Sequence, residues 1–195
     1  MNNQEKIMSY EDSKIFIKTV IDRVRNELGI NLNHPETATQ CFEAIRNFSY
    51  IIYSTNTPSI VEQFPFKKIG LNNPIHQAGI VGIATNEGDK YFILDPTYFQ
   101  FSMDKYTLND NDTYIPPMHY LKTIEEINFG EELTTNGFIP LTKNNLKIYI
   151  GSFIKANNAK LPYIDENEAL NKLIEQLGNK VESSNDEKNL FHYNR

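Results

Sequence analysis

The feature that most constrains the fold is a strand–turn–strand pattern in the middle of the chain. Residues His76 to Ala84 are rich in Ile, Val and small side chains, and Tyr91-Phe92-Ile93-Leu94 is a second apolar run. Between them, Thr85-Asn86-Glu87-Gly88-Asp89 has the composition of a tight turn. Two β-type runs joined in this way read as an antiparallel hairpin. The start of the first strand and the end of the second then lie side by side. His76 and Asp95 occupy those ends, so the pattern predicts an imidazole next to a carboxylate.

Helical spacing flanks the hairpin. Residues 1–9 are polar and read as frayed. Ile17, Val20, Ile21, Val24 and Leu28 mark one helix from about Tyr10 to Leu28, with Gly29 as its stop. Thr37-Ala38-Thr39-Gln40 fits a capping box, so a second helix is expected from near Thr37 to about Tyr53. Its apolar positions are Phe42, Ile45, Phe48, Ile51 and Ile52, and Cys41 falls in its first turn. Ser54 to Pro74 carries three prolines and reads as a long surface loop or a short strand, and Asp104 to Pro117 as a polar loop. Three helices are expected beyond it: one opened by Thr123 with Glu126, one by Thr142, and one by Asp165 with Glu168 and closed by Gly178. From Val181 the chain is polar and reads as a disordered tail. The order predicts an α+β fold, with one catalytic domain over residues 1–180 and the tail over 181–195.

Composition narrows the function classes. The 195-residue chain carries a formal net charge of −6, with its charges interspersed, so no basic footprint for nucleic acid exists. No apolar run reaches the roughly 18 residues of a membrane-spanning helix. Residues 1–6 lack the pattern of a secretory signal. The chain therefore reads as cytoplasmic, or as secreted without a cleavable signal. A single cysteine rules out an internal disulfide and a multi-cysteine metal site. No His-x-x-x-His or comparable ligand spacing occurs, so neither metal nor cofactor is expected. The 12% aromatic content is all Tyr and Phe, enough to fill a core and to line a groove for an extended peptide.

Taken singly, each candidate has an ordinary explanation. A lone cysteine is commonly a small buried hydrophobe. One histidine of four is commonly structural, and an Asp before Pro96 can simply cap a strand end. Together they make a set that thiol chemistry requires: Cys41 as nucleophile, His76 as its base, Asp95 orienting the ring. A thiol at a helix start is also favoured as thiolate by unpaired N–H groups and the helix dipole. His34, close to Cys41 in sequence, is the rival base, whereas His119 and His192 look incidental. Phe64-Pro65-Phe66, between the helix and the hairpin, is an aromatic pair stiffened by proline. At least one of its rings is expected to line a substrate channel beside Cys41, with burial in the core as the alternative.

Thr39-Gln40-Cys41-Phe42-Glu43-Ala44 resembles the nucleophile helix of papain-like and transglutaminase-like proteins. His76-Gln77-Ala78-Gly79-Ile80-Val81 and the strand ending Leu94-Asp95 resemble their His and Asp strands. Asp95-Pro96-Thr97-Tyr98-Phe99-Gln100-Phe101 is similar to the Asp-Pro-Thr-x-x-Gln-Phe ending of papain-fold bacterial toxin and effector domains. The resemblance covers residues 37–101. It implies a nucleophile helix packed on a small antiparallel sheet, followed by C-terminal helices. It also implies thiol-dependent acyl transfer on protein or peptide amides, of the glutamine deamidase or transglutaminase type. A papain-like cysteine peptidase is the alternative within catalysis, and an inactive binding module keeping the fold is the alternative outside it. The Gly-x-Cys of papain-type enzymes is absent, and so is their upstream oxyanion glutamine, where this chain has Pro35. The expected oxyanion donors are therefore the Cys41 backbone N–H and the Gln40 side chain.

Overall fold

A computed structural model describes residues 7–38, 40–55, 57–67, 74–102, 106–107, 113–114 and 116–158. The helix expected from Asp165 and the tail from Val181 lie outside the described residues.

The first apolar stripe forms α1 (Tyr10–Glu27), opened by the Ser9 hydroxyl, which accepts from the Asp12 N–H. It ends where Gly29 takes a left-handed φ of 66°. Ile17, Val20, Ile21 and Val24 are buried along one face. The second helix, α2 (Cys41–Tyr53), buries Ala44, Ile45, Phe48, Ile51 and Ile52 in the same core.

The helix starts later than the sequence suggests, and the capping box at Thr37–Gln40 does not form. Pro35–Ala38 is a separate 3-10 turn. The Thr37 hydroxyl serves that turn instead, donating to the His34 carbonyl at 2.7 Å and accepting from the Asn31 N–H at 2.9 Å. Cys41 is thus the first helical residue rather than a member of an established turn.

The hairpin is β2 (Pro74–Thr85) and β3 (Gly88–Leu94), antiparallel, with Gly79 opposite Leu94 and Thr85 opposite Gly88. The proline-containing segment before it is also a strand, β1 (Ser59–Lys67), paired antiparallel with β2. Of the two readings of this segment, loop or short strand, the strand is the one observed, and edge position is what makes Pro65 tolerable there. Beyond β3 the chain makes a 3-10 turn at Tyr98–Ser102 and a short pair, β4 (Tyr106–Thr107) and β5 (Thr113–Tyr114), within what reads as a polar loop. Then come α3 (Ile124–Asn136), β6 (Phe138–Pro140) and α4 (Lys143–Asn158). The Thr123–Glu126 capping box is present in full, and the Thr142 hydroxyl accepts from the Asn145 N–H. β6 is too short to announce itself by periodicity.

The result is α+β: four helices and a four-stranded antiparallel sheet in the order β1-β2-β3-β6, among the described residues. Val81, Ile83, Phe92 and Leu94 face α1 and α2, while Ala78 and Ile93 face α3, α4 and the 3-10 turn after β3. Alternation along each strand therefore sends successive side chains to two different cores. No described helix is long and apolar enough to cross a membrane.

Gly137 joins α3 to the sheet and to the corner after β3. It takes φ 74° as the C-cap of α3, and a Cβ there would lie 3.1 Å from the Pro96 Cα and 3.0 Å from an Arg25 nitrogen. Its carbonyl accepts from the Asp95 N–H at 2.8 Å. Gly137→Val should lower stability by about 2 kcal/mol or more, since a β-branched residue is disfavoured at left-handed φ and its side chain would crowd the Pro96 backbone and the buried Arg25 and Ile21 side chains. Urea unfolding monitored by circular dichroism measures this, and Gly29→Val, at a left-handed position with open space around it, isolates the φ contribution.

Candidate active site

The site is built where β2 and β3 end beside the start of α2. β3 stops at Leu94 because Pro96 follows Asp95 and has no N–H to extend the ladder. Asp95 is fully buried, and a buried carboxylate requires donors on both oxygens. Thr97 supplies two to Oδ1, its N–H and its hydroxyl, each at 3.2 Å. His76 Nε2 and the Tyr149 hydroxyl each meet Oδ2 at 2.7 Å.

His76 is fully buried on β2. The Phe153 ring stacks on the imidazole at 5.4 Å and Phe101 meets it edge-on at 4.9 Å. Because Asp95 only accepts, Nε2 carries the proton in the neutral ring. Cys41 lies close enough to the same imidazole to favour its charged form. With Nε2 held by Asp95, Nδ1 is the nitrogen left for the thiol. The Gln100 amide nitrogen makes a long contact to Nδ1 at 3.4 Å. Burial alone disfavours the imidazolium, but the Asp95 carboxylate outweighs it, with help from Cys41, and pushes His76 up to about 10. Burial, then the neighbouring Asp95 charge, raises Tyr149 well above an ordinary phenol, which keeps its hydroxyl a donor.

The structure therefore brings Cys41, His76 and Asp95 together. Cys41 is itself only 4% exposed. Gln40 is the N-cap residue of α2, yet its side chain makes no capping bond and its amide donates to the Leu28 carbonyl at 3.3 Å. That engagement turns its amide nitrogen towards the Leu28 carbonyl. The first backbone bond of the helix ladder runs from the Ala44 N–H to the Gln40 carbonyl, so the N–H groups of Cys41, Phe42 and Glu43 precede it. Phe64 and Phe66 lie on edge strand β1, and Phe66 is the register partner of His76. Their side chains lie outside the described residues. His34 is exposed in the loop before α2.

Sequence reading did not single out three participants. Tyr149 sits on α4, 54 residues from Asp95, and no local signal ties it to that carboxylate. Thr97 was readable in principle, since an Asp two residues earlier commonly accepts from such a backbone N–H. Arg25 is buried on α1 and donates to the carbonyls of Pro96 (2.9 Å), Thr135 (2.9 Å) and Thr134 (3.0 Å). It thereby fastens the corner after Asp95 to the end of α3, and burial lowers its pKa to about 10. Among the described residues no group of three or more His, Cys, Asp or Glu side chains converges as metal ligands. A cavity of about 340 Å³ between α3 and α4, lined by Tyr120, Lys147, Ser152 and Lys155 among others, includes none of Cys41, His76 and Asp95.

Two consequences are measurable. The folded pKa of His76 lies above its unfolded value of 6.5, so its contribution to stability is complete below that pH. It is lost as pH rises towards about 10. The difference in urea midpoint between wild type and His76→Asn should accordingly shrink across that interval. Tyr149→Phe removes one of four donors to Asp95 and should cost about 1–3 kcal/mol. Asp95→Ala should cost more in the same unfolding experiment, because it strands His76, Tyr149 and Thr97 together.

Compared with family models, curated proteins and solved structures, the chain matches none, so the functional reading stands on this geometry.

Proposed function

We propose that the protein is a cysteine-dependent acyl-transfer enzyme acting on protein or peptide amides, of the glutamine deamidase or transglutaminase type. The observation that carries this reading is the junction of Cys41, first residue of α2, with an imidazole held by a fully buried carboxylate. A papain-like or transglutaminase-like description of the fold belongs to the same reading. It is supported by a helix that starts at the cysteine and packs on the antiparallel sheet bearing His76.

The chemistry follows from the parts. The Cys41 sulfur attacks the amide carbonyl carbon, and the early N–H groups of α2 face the developing oxyanion. The C–N bond breaks, the Nδ1 proton of His76 passes to the departing nitrogen, and a thioester remains. Water then attacks the thioester while Nδ1 takes its proton, and the C–S bond breaks, which releases the acid and restores the thiolate–imidazolium pair. An amine in place of water gives transamidation, and a main-chain amide as substrate gives peptidase action. The expectation that at least one of Phe64 and Phe66 lines the substrate channel belongs to the same proposal.

One observation favours a rival reading. Cys41 is nearly closed to solvent, as suits an inactive binding module in which the three side chains are a polar cluster of the core. Thiol reactivity separates the two. The proposed enzyme should be alkylated by iodoacetamide at pH 6 at least on the order of tenfold faster than His76→Ala. Candidate substrate proteins incubated with it should show, by mass spectrometry, the mass change of amide-to-acid conversion, an added amine, or a cut chain. Cys41→Ala should abolish that change, and Asp95→Asn should slow it by on the order of tenfold or more. A thiol that reacts equally slowly in wild type and His76→Ala, with no substrate changed, refutes the enzyme reading.

A further inference from the structure

We propose that Gln100 is a positioning residue of this site, locked so that its amide N–H groups, and not its oxygen, face Nδ1 of His76. The Cys41 sulfur then remains the acceptor for a proton on Nδ1 among the described residues. This rests on the reading above, in which His76 is the base.

Gln100 is fully buried in the 3-10 turn after β3. Its amide nitrogen points at three acceptors: the Thr97 carbonyl at 3.1 Å, the Thr97 hydroxyl oxygen at 3.2 Å, and His76 Nδ1 at 3.4 Å. Its Oε1 is buried and has no hydrogen-bond partner among the described residues. A buried acceptor left unmet is costly, so something must hold the amide in this orientation.

The holding groups form a chain with one allowed direction. Asp95 Oδ1 only accepts, so the Thr97 hydroxyl must spend its single proton on it. The lone pairs of that hydroxyl are then free to accept, and they receive a Gln100 N–H. The Thr97 carbonyl can only accept as well. Turning the amide over would set oxygen against both Thr97 oxygens, and this is worse than leaving Oε1 unpaired. Asp95 therefore dictates both faces of the imidazole. It takes the Nε2 proton directly, and through Thr97 and Gln100 it presents a donor to Nδ1.

The consequence is for proton traffic. A glutamine oxygen at Nδ1 would offer the imidazolium proton an unproductive resting place. An N–H group there favours the neutral ring with its lone pair on Nδ1, which opposes the pull of Asp95. Among the described residues, the titratable groups facing the imidazole are Asp95, after β3, and Cys41, on α2. α4 presents Phe153 and, through Asp95, Tyr149, and the 3-10 turn adds Phe101 beside Gln100.

The test follows the imidazole nitrogens of His76 by 15N NMR between pH 5 and pH 11, with the signals assigned by their loss in His76→Asn. The full-length wild type, Gln100→Met and Gln100→Glu are compared. In wild type the neutral ring should carry its proton on Nε2. Gln100→Met keeps the bulk and removes the amide, and it should raise the titration midpoint by roughly half a unit to one unit. Gln100→Glu places an acceptor at Nδ1, so Nδ1 should stay protonated to still higher pH and Cys41 alkylation should slow by roughly tenfold or more. Should the glutamate variant fail to fold, the methionine variant decides alone. A His76 titration unchanged in the folded variants overturns the proposal. The NMR readout does not depend on turnover. The expected shifts without any amide conversion would keep the positioning role and sink acyl transfer, whereas unchanged shifts with intact turnover would do the reverse.

Discussion

Asp95 is a fully buried carboxylate, and a group of that kind is tolerable only when the structure around it supplies donors to both oxygens. Those donors come from β2, from α4 and from the turn that follows β3. One side chain thus ties together elements that are far apart in the sequence. Withdrawing any donor leaves a buried polar group unmet, so the cluster behaves as a unit and resists partial rearrangement. The position of His76, its protonation and the orientation of Gln100 all follow from this carboxylate.

Around that centre the fold provides both rigidity and a low dielectric. Tyr98, Phe101, Phe129, Tyr149 and Phe153 pack against each other on the α4 side of the sheet, and two of the rings enclose the imidazole. In such surroundings the attraction between imidazolium and carboxylate is strong, and it overcomes the cost of burying the charge. The Arg25 guanidinium works at one remove. By bonding carbonyls on both sides of the gap it holds the Pro96 corner against the end of α3, and Gly137 lets the backbone come close enough for the Asp95 N–H to bond across. The sheet is therefore clamped at the end that carries His76 and Asp95.

In the proposed enzyme, reactivity and burial pull in opposite directions at Cys41. A closed, apolar surround strengthens the electrostatics of the imidazole and carboxylate, and it also keeps solvent from the thiol. The start of α2 reconciles the two in part. With Gln40 turned towards Leu28, no side chain among the described residues caps the N–H groups that precede the helix ladder. A capped helix would have satisfied those donors internally.

The sequence by itself determined the features that depend on neighbours along the chain. The stripe of α1 and its glycine stop, the β2–β3 hairpin and the capping box of α3 all follow from spacing and local turn chemistry. The adjacency of His76 and Asp95 was legible for the same reason, since a short turn leaves a hairpin little freedom of register. Other features were decided only in three dimensions. β1 contains Pro65 and is a strand because it lies at an edge. β6 has three residues and exists because β3 offers it a partner. Thr37 lost its capping role to a 3-10 turn nucleated at Pro35. Tyr149 reaches Asp95, and Arg25 reaches Pro96, across separations that periodicity does not register. Local patterns reflect the geometry of a few consecutive residues. The partners of a buried charge are chosen by which elements the two cores bring to the same end of the sheet.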